Sequence, residues 1–161
     1  LWICACGRVD LWAGDIWSSD NSQHIFDPYS FTHVLHGVMF FWLLYFIPKL
    51  PFSWKLVLAL MIESAWEVVE NAPFIINRYR EGTIALGYEG DTVVNSMADI
   101  VLCAVGFALV KWMGVKWSIV FFVVVELILV LWIRDSLILN IIMLIYPLEG
   151  LRVWQAGLNG G

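Results

Sequence analysis

Residues 54–71, WKLVLALMIESAWEVVEN, place three carboxylates in a stretch that is otherwise mostly apolar. Glu63, Glu67 and Glu70 follow one another at i, i+4 and i+7, so a helix brings them onto one face. A charged side chain at the centre of a bilayer costs about 2.5–3.5 kcal/mol on insertion scales. If this segment crosses a membrane, the three glutamates must therefore face the interior of a bundle or water. There they must be paired, protonated or bound to a cation.

The composition predicts an integral membrane protein. Hydrophobic residues make up 61% of the 161 residues and charged residues only 14%, whereas soluble domains have roughly 45–50% and about 25%. Trp and Tyr, which favour the membrane interface, are also abundant. The net charge of −5 argues against a nucleic-acid partner. We therefore expect one all-α domain, a polytopic helix bundle whose partners include membrane lipids.

Four apolar segments are long enough, or nearly so, to cross a bilayer, which needs ~20 residues. They are helix A (31–47, with Ser30 or Thr32 as the cap), helix B (about 54–71, bent or ended by Pro73), helix C (92–113) and helix D (117–133). A short fifth segment, 137–146, is expected to be a re-entrant or steeply packed half-span. The predicted organisation has three parts: a polar extramembrane segment (1–30), a helix bundle (31–146) and an interfacial tail (147–161). The bundle includes a polar B–C loop at 77–91.

Lysines favour one orientation for these loops. The A–B loop carries Lys49 and Lys55, the C–D loop carries Lys111 and Lys116, and neither loop has an acidic residue. Because cytoplasmic loops are enriched in Lys and Arg, both loops are expected inside. The N-terminal segment, the B–C loop and the end of helix D are then expected outside.

Polar residues of all four helices fall at this outer end. They are the helix B glutamates, His33 and His36 at i and i+3 in helix A, Asp91, Asn95 and Asp99 at i, i+4 and i+8 in helix C, and Arg134 and Asp135 after helix D. The candidate partners of the glutamates are the two histidines, a cation, or one of Arg78, Arg80 and Arg134.

Histidine and carboxylate ligands suit zinc, manganese or iron. We predict a metal site formed by His33, His36 and Glu63, with Glu67, Glu70, Asp91, Asn95 and Asp99 as catalytic groups. Neither an HExxH nor a ferritin-type ExxH motif is present. The structural alternative is a buried network of ion pairs and hydrogen bonds that locks the helix ends together.

Three other features of the sequence each have more than one interpretation. Residues 17–30, WSSDNSQHIFDPYS, form either a capped loop or a lid that supplies a nucleophile or ligand. Cys4 and Cys6 are too close for a comfortable mutual disulfide, which leaves a partner-linked disulfide, a metal site or two inert thiols; Cys103 is expected to pack in helix C. Glu126 in helix D is either functional or a protonated group bonded to a neighbouring helix, with Asn140 as a candidate partner.

The stretches CACG, WSSDNSQH, HGVMFF, ESAWEVVENAPFIINRYRE, GDTVVNSMAD and LWIRDSLILNIIMLIYPLEGLRVWQ together resemble uncharacterised protein family 0314. This family of bacterial membrane proteins is also known as domain of unknown function 2585. More distantly, the pattern resembles VanZ-like membrane proteins. The resemblance implies a multi-pass protein of the bacterial inner membrane, whose polar cluster then faces the periplasm, and an apolar helix upstream of the CACG stretch. It implies no activity.

Two classes of function fit these features. One is a membrane-embedded, metal-dependent hydrolase or transferase that acts on lipid or envelope precursors, and it requires a water-accessible cavity where the histidines and carboxylates converge. The other is a non-catalytic accessory subunit or assembly factor of a larger respiratory or photosynthetic complex. That second class predicts a closed, fully paired cluster and other membrane protein chains as partners.

Overall fold

The computed structural model describes residues 1–83, 85 and 87–157, and over those residues it contains six α-helices and no β-strand. The helices are α1 (Ser30–Tyr45), α2 (Phe52–Glu70), α3 (Pro73–Gly82), α4 (Val93–Ile133), α5 (Leu137–Ile145) and α6 (Glu149–Ala156). The predicted all-α class is therefore confirmed. The predicted B–C loop is partly wrong, because α3 occupies its first residues. Pro73 opens that helix, at a position where its missing N–H costs no intrahelical bond.

Helix α4 consists of two arms that meet at Gly114. The backbone there has φ 80° and ψ 161°, which is not helical and which glycine adopts far more readily than other residues. The arms, 93–113 and 115–133, correspond to the separately predicted helices C and D.

Side-chain contacts define how these segments run. His33 and Phe41 of α1 lie near Asp99 and Phe107 of the first arm, so the first arm is parallel to α1. The second arm is antiparallel to α1, because Trp42 bonds to Ser118 whereas Phe31 packs on Trp132. Helix α2 is also antiparallel to α1, since Glu63 lies beside His33 and Phe52 beside Phe107. The polar ends of all four segments therefore meet at one end of the bundle.

The apolar core lies below that polar end. Its central residues, drawn from α1, α2 and the first arm of α4, are Phe40, Leu44, Ala59, Cys103 and Phe107. Cys103 is fully buried there, as the prediction of a packing role requires. Gly37 and Gly106 bring the backbones of α1 and α4 into contact, because a Cβ on either glycine would lie 2.0 Å or less from a carbonyl oxygen of the other helix.

The start of α1 is not capped by Ser30 or Thr32 as predicted. Instead, Asp27 Oδ1 accepts hydrogen bonds from the backbone N–H groups of Tyr29 and Ser30, and the Ser30 hydroxyl accepts one from the Asp27 N–H. The Thr32 hydroxyl donates to the Tyr29 carbonyl. These reciprocal bonds satisfy N–H groups at the start of the helix, which have no intrahelical partner.

Glu126 caps the start of α5. Its two carboxylate oxygens accept hydrogen bonds from the backbone N–H groups of Leu137 (3.0 Å) and Ile138 (3.3 Å). Asn140, the predicted partner of Glu126, instead lies with its side-chain oxygen 3.1 Å from the Tyr79 hydroxyl. Glu126 therefore bonds to a neighbouring helix through the backbone, and this contact explains a carboxylate in an apolar segment.

Among the described residues, one helical segment, Val93–Ile133, which comprises both arms of α4, is long and apolar enough to cross a membrane, and only 17% of its apolar 18-residue window is buried. Helix Ser30–Tyr45 is apolar but shorter. The four to five membrane spans expected from the sequence stay a prediction.

Candidate functional site

Helices α1 and α2 place two histidines around one carboxylate. The Nδ1 atom of His33 lies 2.7 Å from Oε1 of Glu63, and Nδ1 of His36 lies 3.0 Å from each Glu63 oxygen. Glu63 is fully buried and both histidines are less than 10% exposed. One ligand atom from each residue lies within 4.8 Å of the other two. The three predicted metal ligands are therefore brought together.

Glu67 lies one helical turn beyond Glu63 and faces the same histidine. Its Oε1 is 3.3 Å from His33 Nδ1, yet neither of its oxygens accepts a hydrogen bond, although the residue is only 4% exposed. His33, Glu67 and Glu70 form a second group whose ligand atoms lie within 4.8 Å of one another. Buried carboxylate oxygens without partners are costly, so this group has the capacity to bind a proton donor or a cation.

Helix α4 contributes Asp99 and Asn95. Oδ2 of Asp99 lies 3.8 Å from His33 Nε2, and its Oδ1 has no hydrogen-bond partner at 3% exposure. The amide of Asn95 donates to the Ile25 carbonyl at 3.4 Å. Asp99 therefore lies beside His33, Asn95 lines the same cavity, and Asp99 is the less satisfied of the two.

Three tyrosines each donate a hydrogen bond to a carboxylate at this end of the bundle. The pairs are Tyr79 with Glu70 (2.8 Å), Tyr88 with Asp91 (3.0 Å) and Tyr29 with Asp135 (3.2 Å). Asn71 also holds Asp91, because it accepts from the Asp91 N–H at 2.6 Å and donates to Oδ2 at 3.2 Å. These carboxylates are thus held in place by neutral donors.

A cavity of about 90 Å³ lies between these groups, which is enough for a few water molecules. Its polar wall includes both histidines, all three tyrosines and the side chains of Asp27, Glu70, Asp91, Asn95, Asp99 and Asp135; its apolar wall includes Trp66, Leu137, Ile141 and Leu144. No lysine or arginine is among the described residues that line it.

The arginines are directed elsewhere, so the predicted pairing of Arg78, Arg80 or Arg134 with the glutamates is wrong. Arg78 donates to the carbonyls of Leu144 and Ile145, Arg80 to that of Tyr88, and Arg134 to that of Trp154. Each guanidinium reaches a backbone carbonyl outside helices α1 and α2. Among the described residues that line the cavity, the basic side chains are therefore His33 and His36.

Burial raises the pKa of carboxyl groups around the cavity mouth. Removal from water raises the pKa of Asp135 to about 6, and hydrogen bonds from Ser136 and Tyr29 offset only part of this effect. Burial likewise raises the pKa of Asp91 and of Asp27 above their ordinary values. A ligand that supplies positive charge would relieve this cost.

The N-terminal segment covers one side of the cavity. Asn21, Ser22, Asp27 and Tyr29 contribute to the lining. The Ser22 carbonyl accepts from the Thr92 N–H at 3.0 Å, and the Gln23 amide donates to the Gly90 carbonyl at 2.8 Å. The segment therefore covers the polar cluster, which both a capped loop and a lid would do.

One expectation about this segment changes, and its buried histidine has a defined partner. Cys4 and Cys6 are joined by a disulfide, in contrast to the expectation that they are too close, because the turn that ends at Gly7 (φ 75°) brings the two sulfurs together. His24 is buried and its Nδ1 accepts a hydrogen bond from the Asp10 N–H, which leaves the proton on Nε2. His24 is therefore not placed as a base for the serines of the segment.

Known proteins are similar to this chain in sequence over almost its whole length. The model of a family described as "Protein of unknown function (DUF2585)" matches residues 1–157. The chain belongs to this family. It is 48% identical to a UPF0314 protein of Sinorhizobium fredii, covering 98% of this chain and 81% of the relative, and 47% identical to a UPF0314 protein of Paracoccus denitrificans, covering 97% and 81%. No solved structure matches it significantly.

Four residues of the site, Tyr29, Tyr79, Tyr88 and Asn71, were not predicted from the sequence. Tyr29, Asn71 and Tyr88 lie in loops or at helix ends, where residue spacing does not define a common face, and Tyr79 lies in α3, which was expected to be part of a loop. Asp27 had a usable signal, since an acidic residue three positions before Ser30 at a helix start is typical of a cap.

Proposed function

We propose that the protein is a metal-dependent hydrolase or transferase of the bacterial inner membrane that acts on a lipid or envelope precursor. The observation that carries the proposal is the grouping of His33, His36 and Glu63 beside a cavity and beside Glu67, whose two buried oxygens have no partner. This arrangement combines three ligands, space for a small molecule and a free base.

The three residues fit a zinc, manganese or iron ion in chemistry and in spacing. Bond lengths of about 2.0–2.1 Å place neighbouring ligand atoms of a tetrahedral zinc site roughly 3.3 Å apart. The histidine nitrogens lie 2.7 and 3.0 Å from Glu63 oxygens. These ligand atoms would therefore have to move apart by a few tenths of an ångström to bind the ion. A bound metal of this kind would acidify a water molecule.

The chain's own groups then have distinct roles. Glu67, a buried carboxylate beside His33, takes a proton from the attacking water or hydroxyl group. Glu70 and Asp91 are fixed by tyrosine hydroxyls, and together with Asn95 and Asp99 they bind and orient the substrate. Burial under the N-terminal segment limits access of bulk water.

Exposed apolar side chains support a location in the membrane. Large residues of α1, α2 and both arms of α4 are more than half exposed, among them Leu43, Met61, Val68, Val101, Leu127 and Leu131. Such surfaces favour lipid over water. Lys49, Lys55, Lys111 and Lys116 lie at the opposite end from the cavity, so the positive-inside rule supports a cavity at the periplasmic face.

The cavity also favours an enzyme over a non-catalytic accessory subunit. A subunit was expected to have a closed cluster in which every polar group is paired. Four buried carboxylate oxygens, from Glu67, Glu70 and Asp99, instead lack hydrogen-bond partners. Glu70 and Asp99 also line the cavity.

The test uses the full chain, purified in detergent and loaded with zinc, manganese or iron. It is incubated with a bacterial inner-membrane lipid extract, and products are identified by mass spectrometry. We expect metal-dependent release of a product by the native protein and its loss in Glu67→Gln, whereas Glu81→Gln, an exposed carboxylate on α3, should retain activity. Unchanged lipid with every metal, or full activity in Glu67→Gln, would contradict the proposal.

A further inference from the structure

We propose that the substrate carries an ammonium group, which binds in the cavity between Asp99 and the tyrosines. This inference rests on the proposed function, and it narrows the substrate from any lipid or envelope precursor to an amine-bearing amphiphile. Three properties of the cavity wall support it: its charge, its aromatic content and its apolar side.

The charge of the wall selects a cation. Glu70, Asp91, Asp99 and Asp135 line the cavity, and none of the described lining residues is a lysine or an arginine. Sites that bind phosphate or carboxylate groups ordinarily supply arginine, lysine or backbone N–H donors. An anionic group placed beside these four carboxylates would be repelled by them, whereas an ammonium would be attracted.

Two of the carboxylates that line the cavity, Asp99 and Glu70, each have a buried oxygen without a hydrogen-bond partner. Asp99 is 3% exposed, its Oδ1 accepts no hydrogen bond, and it lines the cavity. Glu70 also has one unpartnered oxygen, Oε2, while its other oxygen is held by Tyr79. The N–H groups of an ammonium would supply donors to both unpartnered oxygens.

Aromatic rings complete a cation-binding surface. Tyr29, Tyr79, Tyr88 and Trp66 all line the cavity, and the rings of Tyr79 and Tyr88 meet edge to face with centroids 5.3 Å apart. Ammonium groups are attracted to the faces of such rings, and aromatic side chains recur in sites for choline and methylated lysine. Carboxylates combined with tyrosines therefore favour an organic cation over a bare metal ion in this half of the cavity.

The size and the apolar wall define the rest of the ligand. A cavity of about 90 Å³ has space for an ammonium group and the methylene groups next to it. Leu137, Ile141 and Leu144 form the apolar side of the wall, next to which a hydrocarbon portion of the substrate would lie.

The test measures binding without metal, so that it does not depend on the hydrolase activity. The detergent-purified full chain is treated with EDTA and titrated calorimetrically with short-chain phosphatidylethanolamine or with phosphatidylglycerol that has the same acyl chains. We expect phosphatidylethanolamine to bind at least tenfold more tightly. Asp99→Asn should abolish this preference and Glu81→Gln should retain it.

The preference has a second measure that needs no variant. Ethylammonium chloride should compete with phosphatidylethanolamine for the native protein, and sodium chloride at the same concentration should not. Equal or tighter binding of phosphatidylglycerol, an unchanged preference in Asp99→Asn, or no competition by ethylammonium would overturn the inference. If the preference holds while no lipid is hydrolysed, the ammonium site stands and the proposed enzyme activity does not.

Discussion

The replacement of Gly106 by alanine should separate helices α1 and α4. A Cβ at this position would lie 1.9 Å from the carbonyl oxygen of Val34, whereas ordinary van der Waals contacts of Cβ begin at 3.4 Å. The neighbouring atom belongs to the backbone, so no side-chain rotation relieves the overlap. The two helices must therefore move apart by about 1.5 Å or distort locally.

The expected loss in the free energy of unfolding is at or above the upper end of the range measured for overpacked cores. Added methyl groups in packed cores cost about 1–3 kcal/mol, and sometimes more, and the separation would also weaken contacts of Phe107, which is fully buried in the same interface. For a chain of this length, about 3 kcal/mol corresponds to a fall of roughly 6–12 °C in the melting temperature. The pairing of His33 with Asp99 across the same helices should loosen as well.

The assay is thermal unfolding in detergent, followed by tryptophan fluorescence. Gly150→Ala is the matched control, because a Cβ at Gly150 in α6 meets nothing within 4 Å and alanine is a better helix former than glycine. A Gly106→Ala protein that melts within about 2 °C of the native protein, a third or less of the shift expected for a cost of this size, would refute the close approach of the helices.

Two further substitutions test buried carboxylates by thermal unfolding. Glu126→Gln can accept only one of the two N–H bonds at the start of α5, so it should lower stability by about 1–3 kcal/mol, and a loss below about 0.5 kcal/mol would contradict the capping role. Burial raises the pKa of Asp135 to about 6, so the folded protein holds this proton more tightly than the unfolded chain does. The stabilisation that this proton provides is complete below pH ~3.8 and is lost as pH rises through about 6. Asp135→Asn should therefore be more stable than the native protein at about pH 7.5, by up to about 3 kcal/mol, with the difference shrinking toward about pH 4; a constant difference across this range would contradict the assignment.

Residue spacing within helices predicted the core of the candidate site. A helix of 3.6 residues per turn fixes which side chains share a face, so Glu63 and Glu67, and likewise His33 and His36, could be grouped from their positions in the sequence alone. The alternation of short loops with long apolar segments then placed Asp99 at the same end. These inferences depend only on local geometry and on antiparallel packing of neighbouring helices.

Contacts between elements that are distant in sequence could not be predicted in this way. The Tyr29–Asp135 pair joins residues 106 positions apart, and the arginines could equally reach side chains or carbonyls. The partners of Glu126 were equally difficult to predict. They are backbone N–H groups at the start of α5, and they meet Glu126 only because α5 folds back against α4. Such contacts are set by how loops and helix ends are placed, which residue spacing does not encode.

The central claim is that His33, His36 and Glu63 bind one metal ion, and metal analysis with X-ray absorption tests it most directly. The account predicts one zinc, manganese or iron per chain, an absorption spectrum with two imidazole ligands, and loss of the metal in a His33→Ala, His36→Ala double variant. His24→Gln should keep the metal, because His24 lies in a separate cluster with Cys4, Cys6 and Asp20. A protein that binds none of these metals, or that loses its metal only in His24→Gln, would contradict the account.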